Sequence, residues 1–184
     1  MKKVNKNYFM APRALARERF LELMPAHGRI LDLGCGAGFD AEHFFSAGYE
    51  VVGMDPSEQM LSIAKNVVGP IYVLGSAEHM PFSMQFHGIW ARASLMYVPR
   101  SSECATLQII IKQLYRGGVF YMSVLEGEGE HILNATLVNF FTIDRLVKLI
   151  DSVGGLKLTN IWRARRFHLG NRAGYWINCL AQRE

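Results

Sequence analysis

No stretch of the 184-residue chain approaches the roughly 18–20 consecutive apolar residues that a bilayer-spanning helix needs. The longest apolar runs, such as Gly118–Leu125, are strand-sized, which excludes a protein that crosses a membrane with helices. Cysteine is scarce: Cys35, Cys104 and Cys179 are odd in number and far apart, and no CxxC or Cys/His spacing accompanies them. That excludes a disulfide framework and a zinc site and leaves three reduced thiols in a reducing compartment. Internal repeats and low-complexity runs are also absent, so neither a solenoid nor a disordered chain is expected. No acidic residue precedes Glu18, but the apolar core of a signal peptide is missing there too. The expectation is a cytoplasmic protein without a targeting segment.

What the sequence does contain is enough apolar material for one core: 50% of residues are hydrophobic and 20% charged, in a length that fits a single domain. The net charge of +4 is unevenly placed. Residues 1–30 carry seven Lys/Arg against two acids and residues 156–184 six against one, so each end is +5. The middle, with seven basic and thirteen acidic side chains, is −6. A ligand of the middle segment is therefore expected to be cationic, and the basic ends suit an anionic acceptor or a solvated surface.

Apolar residues recur at helical spacing in four places. Ala16, Phe20, Leu23 and Met24 form one face between Pro12 and Pro25. Met60, Leu61, Ala64 and Val68 follow Ser57 as N-cap. Leu107, Ile110, Ile111 and Leu114 lie between Ser101–Ser102 and the terminator Gly117–Gly118. Ile143, Leu146, Val147, Ile150 and Val153 follow Thr142. A further helix carries Phe44 and Phe45. Between the helices stand the short runs Arg29–Leu33, Glu50–Met54, Ile71–Leu74, Gly88–Ala93 and Gly118–Leu125, apolar on both faces as buried parallel strands are. Leu156–Trp162 and Tyr175–Ala181 alternate and follow one another directly, which predicts an antiparallel pair at a sheet edge. The whole predicts a doubly wound α/β sheet with its ligand at the carboxyl ends of the early strands.

The chemistry concentrates in Ile30-Leu-Asp-Leu-Gly-Cys-Gly-Ala-Gly38, where a strand runs into glycines at alternate positions and a helix follows. Glycine is needed where the chain turns sharply and a ligand touches backbone. Asp55, at the end of the second strand, stands where a carboxylate accepts the two hydroxyls of a ribose. The last glycine of a dinucleotide fingerprint would fall on Phe39, which disfavours a nicotinamide cofactor. Asp32 would repel a pyrophosphate but suits a ligand with an ammonium group and a sulfonium. That combination points to S-adenosylmethionine. The plainer alternative is that Asp32 and Asp55 only cap neighbouring helices.

The runs ILDLGCGAGFDAEHF, GYEVVGMDPSEQML, GSAEHMPF, FHGIWARASLMYVPR and LYRGGVFYMSVLEGEGE resemble the successive motifs of class I S-adenosylmethionine-dependent methyltransferases. The likeness extends more loosely through FFTIDRLVKLIDSVGG and HLGNRAGYWINCLAQR. It implies a Rossmann-like, mostly parallel seven-stranded sheet with an antiparallel edge strand. The whole chain is then one domain: residues 1–27 as an N-terminal helical segment or lid, 28–125 as the cofactor half and 126–184 as the substrate-side half. By the same resemblance, Gly34, Cys35, Gly36 and Gly38 form the loop that lines the methionine part and the ribose, with Asp32 toward the amino group. Asp55 takes the ribose diol, Pro56 and Met60 cover the adenine, Ser76, Ala77 and Glu78 follow its edge, and backbone at Ala91 and Arg92 meets the methionine end. Three positions depart from the pattern: Ser76 and His87 each stand where the family usually has Asp, and Tyr97 where it usually has His.

The implied activity is methyl transfer to a small acceptor by in-line displacement, with S-adenosylhomocysteine as product. Such a reaction asks mainly for alignment in a site with little water. Candidates for an acceptor-side role are Tyr97, His79, His131 and Arg172, the last because a guanidinium reads a carboxylate or phosphate at two points. The basic stretch Arg163–His168 keeps tRNA or another nucleic acid open as an alternative acceptor, and the three departures keep open a cofactor-binding protein without turnover. A monomer or homodimer is expected, with no metal.

Overall fold

Strands apolar on both faces are stable only when helices cover both sides of the sheet, and the chain supplies them in alternation. The computed structural model describes residues 12–166 and 174–184. In order it forms α1 (Pro12–Leu21), β1 (Arg29–Leu33), α2 (Phe39–Ser46), β2 (Glu50–Asp55), α3 (Glu58–Ala64), β3 (Ile71–Leu74) and β4 (Phe86–Arg92). There follow α4 (Glu103–Gln113), β5 (Leu114–Leu125), β6 (Glu130–Leu133), β7 (Thr136–Asn139), α5 (Ile143–Val153), β8 (Leu156–Arg166) and β9 (Gly174–Arg183). Seven strands make one sheet in the order β3-β2-β1-β4-β5-β9-β8. β1 to β5 run parallel. β9 runs against both neighbours and sits between β5 and the edge strand β8.

On one face α1 and α2 pack on β1 and β4: Phe20, Phe44 and Trp90 are fully buried, with Trp90 edge-on to the other two rings at 5.2 Å and stacked on Tyr121 at 3.8 Å. Burying each such side chain contributes roughly 1.5–3 kcal/mol. The described part of the N-terminal segment is thus a core helix, docked through Ala16, Phe20 and Met24, rather than an open flap. On the opposite face Leu107 and Ile110 of α4 and Leu146 and Ile150 of α5 close the second core. The Ser57 and Thr142 side chains accept the N–H groups of Met60 and Arg145, as the caps predict. Ser102 stands at the start of α4 without a side-chain cap bond.

Two features differ from the sequence reading. α4 stops at Gln113 instead of running to Gly117–Gly118, because Leu114 is fully buried and pairs with Phe86; tertiary pairing overrides the local helical spacing. β6 and β7 form a separate hairpin. Its two-residue turn, Asn134–Ala135, has positive φ at both positions (50° and 63°), the geometry that matches strand twist.

Candidate functional site

At the end of β1 the chain must turn under the carboxyl end of the sheet, and three glycines take left-handed φ values of 75° (Gly34), 54° (Gly36) and 83° (Gly38). They serve different ends. A Cβ on Gly34 would lie 2.3 Å from the Ser94 Cβ, and one on Gly38 2.6 Å from the Tyr72 hydroxyl, so both are packing positions. A Cβ on Gly36 would meet nothing within 4 Å, because Gly36 faces an open cleft. The Gly34 and Cys35 N–H groups both donate to the Met54 carbonyl, at 2.7 and 3.0 Å, which ties the loop to β2. Asp55, 8% exposed, completes the tie: one carboxylate oxygen accepts the Gly36 N–H at 2.8 Å and the other the Ser57 N–H at 2.9 Å.

The cleft above this loop has a volume of about 540 Å³. Gly34 and Gly36 line it at the end of β1, and Asp55, Pro56 and Met60 at the end of β2. Ser76, Ala77 and Glu78 line it after β3, and Tyr97 after β4. Nine of the residues named from the sequence are brought together in this way. Asp32 and Cys35 are buried beneath the loop and Gly38 packs against α3 and β3. Ala91 is fully buried in β4, and the Arg92 side chain turns to Asp40, Nε to Oδ2 2.7 Å. At the end of β4 the lining residues are instead Ala93 and Ser94. Ala93 holds φ at 55°, an unusual value for a non-glycine residue and one found where a site fixes its backbone. The Ser94 Oγ is buried without a protein partner. Neither was named from the sequence, although their place at a strand's carboxyl end in a doubly wound sheet was a signal.

The remaining candidates lie elsewhere. His79 closes the turn that starts at Ser76. His131 stands on the exposed β6 strand, its ring nitrogen 3.0 Å from the Glu128 carbonyl. Neither lines the cleft. Arg172 lies outside the described residues, as does His168. His87, where the family usually has Asp, ties β4 to the start of β1, since its Nδ1 accepts the Arg29 N–H at 3.0 Å.

Charge around the loop is organised by burial. Asp32 is 2% exposed and its Oδ2 has no hydrogen-bond partner. Burial first, and then the like charge of Asp40, hold its carboxyl well above the usual carboxylate range. Burial opposes ionisation of Asp40 as well, but the hydrogen bond from Arg13 and the charges of Arg92, Arg13 and Arg17 outweigh it and hold that carboxyl low. Burial and the neighbouring Asp32 and Asp55 push the Cys35 thiol up, so it is no nucleophile. Burial likewise pushes the Tyr72 phenol up to about 12.

An open cradle at Gly36, a carboxylate at its rim and an orphaned buried carboxyl behind it suit a nucleoside ligand that carries a cationic amino-acid tail. A family model described as a methyltransferase domain matches residues 30–118. The chain is 31% identical over 113 residues to a malonyl-[acyl-carrier protein] O-methyltransferase of Erwinia billingiae, covering 58% of this chain and 43% of the relative. It is also 31% identical over 117 residues to the 18S rRNA (guanine-N(7))-methyltransferase bud23 of Schizosaccharomyces pombe, covering 60% and 43%. The chain therefore spans less than half the length of these curated relatives. In fold it resembles a SAM-dependent methyltransferase from Methanosarcina mazei, with a TM-score of 0.80 at 17% identity over 95% of this chain and 98% of the other. Among the described residues no group of His, Cys, Asp and Glu is arranged to hold a metal, and no helix is long and apolar enough to cross a membrane. The sheet order, the glycine loop in register with Asp55 and the methyltransferase-domain match over residues 30–118 give this chain the fold of the class I S-adenosylmethionine-dependent methyltransferases.

Proposed function

We propose that the chain transfers a methyl group from S-adenosylmethionine to a small acceptor in the cleft at the carboxyl ends of β1, β2 and β4. The observation that carries this reading is the shared cleft, where the Gly36 backbone and the Asp55 carboxylate meet residues 76–78, 93–95 and 97 in one space of about 540 Å³. The cofactor supplies an electrophilic methyl carbon on sulfur. In this reading the Asp55 oxygens keep free lone pairs for a ribose diol while their backbone bonds hold the carboxylate in place. Pro56 and Met60 flank one face of the adenine, and the Ser76–Glu78 turn follows its edge. Gly34 and Gly36 present bare backbone to the ribose and methionine portions. Asp32, behind the loop, is directed to the amino group, whose positive charge would draw the raised carboxyl back to its ionised form. The methionine end falls to Ala93 and Ser94 rather than to Ala91 and Arg92, because those are the residues that line the cleft.

Tyr97, 48% exposed and in the cleft wall, is the acceptor-side residue that the reading favours over His79 and His131. In-line displacement on a thiolate, amine or carboxylate needs no proton removed in the difficult step, so Tyr97 orients the acceptor rather than acting as base. Two curated relatives act on a carrier-bound malonyl group and on ribosomal RNA; the net acidic cofactor segment favours a small acceptor over a polyanion such as RNA. Cys35, Cys104 and Cys179 are all unpaired, which supports a reducing, cytoplasmic setting. Calorimetric titration with S-adenosylhomocysteine and S-adenosylmethionine tests the reading at its base: saturable binding is expected, and a folded sample that binds neither refutes it. A screen of carboxylate, thiol, amine and RNA acceptors for S-adenosylhomocysteine release then identifies the acceptor class. Binding without release from any of them would favour a cofactor-binding protein without turnover.

A further inference from the structure

Beside the cleft the structure holds more positive charge than its own acids balance. Asp40, at the start of α2, takes three arginines from two other elements: Arg13 Nε at 2.9 Å and Arg17 Nε at 2.6 Å from α1, and Arg92 Nε at 2.7 Å from the end of β4. Asp40 itself is 4% exposed. Three guanidiniums on one carboxylate leave two positive charges over. Arg13 and Arg92 reach Asp40 through Nε and Arg17 through both Nε and Nη2, so the terminal nitrogens of Arg13 and Arg92 remain for other acceptors. The Arg17 terminus also donates to the Phe39 carbonyl at 3.2 Å, and the buried Arg13 Nη2 has no partner at all. The surplus is felt nearby: burial and the Arg17 charge hold His43, one turn along α2, below the usual imidazole range.

None of the four residues lines the cleft itself, but the cluster adjoins its lining along the chain. Arg92 directly precedes Ala93 and Ser94, which line it, and Asp40 lies two residues past Gly38 of the loop. We infer that Arg13, Arg17 and Arg92 form an anion subsite that takes a carboxylate or phosphate carried by the methyl acceptor. The inference rests on the methyltransferase reading of the cleft and adds the charge class of the acceptor. Guanidinium forks are suited to such groups because they donate two parallel hydrogen bonds to a planar or tetrahedral oxyanion. Charge counting favours the acceptor as the source. The cofactor's own carboxylate would neutralise one of the two surplus charges at most, and its ammonium has Asp32; one positive charge still awaits an anion that the cofactor does not bring.

Malonate and inorganic phosphate, titrated by calorimetry into the full chain already saturated with S-adenosylhomocysteine, test this. Saturable binding of at least one anion is expected, weakened about tenfold or more in Arg13→Gln and Arg92→Gln and less in Arg92→Lys, which keeps charge but loses the fork. S-adenosylhomocysteine affinity should change less than threefold in the same variants, which also shows that they fold. No anion binding to the saturated wild-type chain overturns the inference. So does anion binding that occurs only without S-adenosylhomocysteine and competes with it, since the cluster would then serve the cofactor's carboxylate. So does unchanged anion affinity in all three variants. The first titration, with S-adenosylhomocysteine alone, separates the two readings: if it binds and the anions do not, only the subsite fails.

Discussion

At the scale of single residues, the glycines of one loop separate folding from binding. Gly34→Ala drives a Cβ into Ser94 in a left-handed conformation and should cost about 2–5 kcal/mol of stability, read as a lower denaturation midpoint. Gly36→Ala carries only the left-handed strain, about 1–2 kcal/mol, because space is open around it. Its methyl group stands where the ligand is proposed to lie, so S-adenosylhomocysteine affinity should fall at least tenfold by calorimetry. Asp32 shows the complementary trade. Its carboxyl is raised by burial and by Asp40, so its contribution to stability is present below the ordinary carboxylate value and is lost as pH rises through the raised one. Asp32→Asn should therefore be the more stable protein at pH 7, by about 1–3 kcal/mol, with that advantage vanishing toward pH 4. It should bind S-adenosylhomocysteine more weakly. Melting curves at both pH values, paired with titration, check both halves.

At the scale of elements, the Asp40 cluster fastens α1 and the end of β4 to the helix that follows the glycine loop. Removing the carboxylate leaves three clustered guanidiniums with their shared partner gone. Asp40→Ala should cost about 3–5 kcal/mol and raise amide exchange in α1 ahead of β1 and β4. Since Asp40 is held low, its contribution is fully present above the ordinary carboxylate value and is lost as pH falls through the lower folded one. Exchange of α1 should thus rise in acid before the sheet opens. On the other face, Glu103 plays a similar part. It is 7% exposed, accepts from Asn139 of β7 and Arg145 of α5, and so ties α4 to both. The Arg145 guanidinium also lies over the Phe141 ring at 4.2 Å. The β6–β7 hairpin hangs on this tie, and Arg100 reaches it too, with its Nε 2.9 Å from the Asn139 side-chain oxygen.

At the scale of the molecule, ligand and fold are linked. S-adenosylhomocysteine at a hundred times its dissociation constant should add about 2.7 kcal/mol to unfolding, a rise of roughly 5–11 °C for a chain of this length. A thermal scan with and without it gives the measurement, and an unchanged transition would contradict the proposed site. The uneven charge of the sequence also resolves at this scale: Arg13 and Arg17 from the basic N-terminal end converge with Arg92 from the acidic middle on Asp40. The excess that linear counting assigns to a terminus gathers, in space, around Asp40 at the start of α2.

The sequence by itself determined the alternation of strands and helices, the doubly wound class and the glycine loop in register with Asp55. These rest on local rules: two-sided apolarity for buried strands, caps at Ser57 and Thr142, and the sterics that demand glycine at a tight turn. Only the tertiary structure decided the rest. It separated Gly36, where a Cβ would enter open space, from Gly34, which lines the cleft but whose Cβ would meet Ser94, and from Gly38, whose Cβ would meet Tyr72. It moved the β4 contribution from Ala91 and Arg92 to Ala93 and Ser94, and it kept His131 out of the cleft wall. It also ended α4 four residues early to bury Leu114, and gathered three arginines onto Asp40 across up to 52 residues of chain. The physical reason is common to all of these. Direction and proximity between side chains distant in sequence depend on how the sheet stacks and where each strand ends, and local spacing carries no information about either.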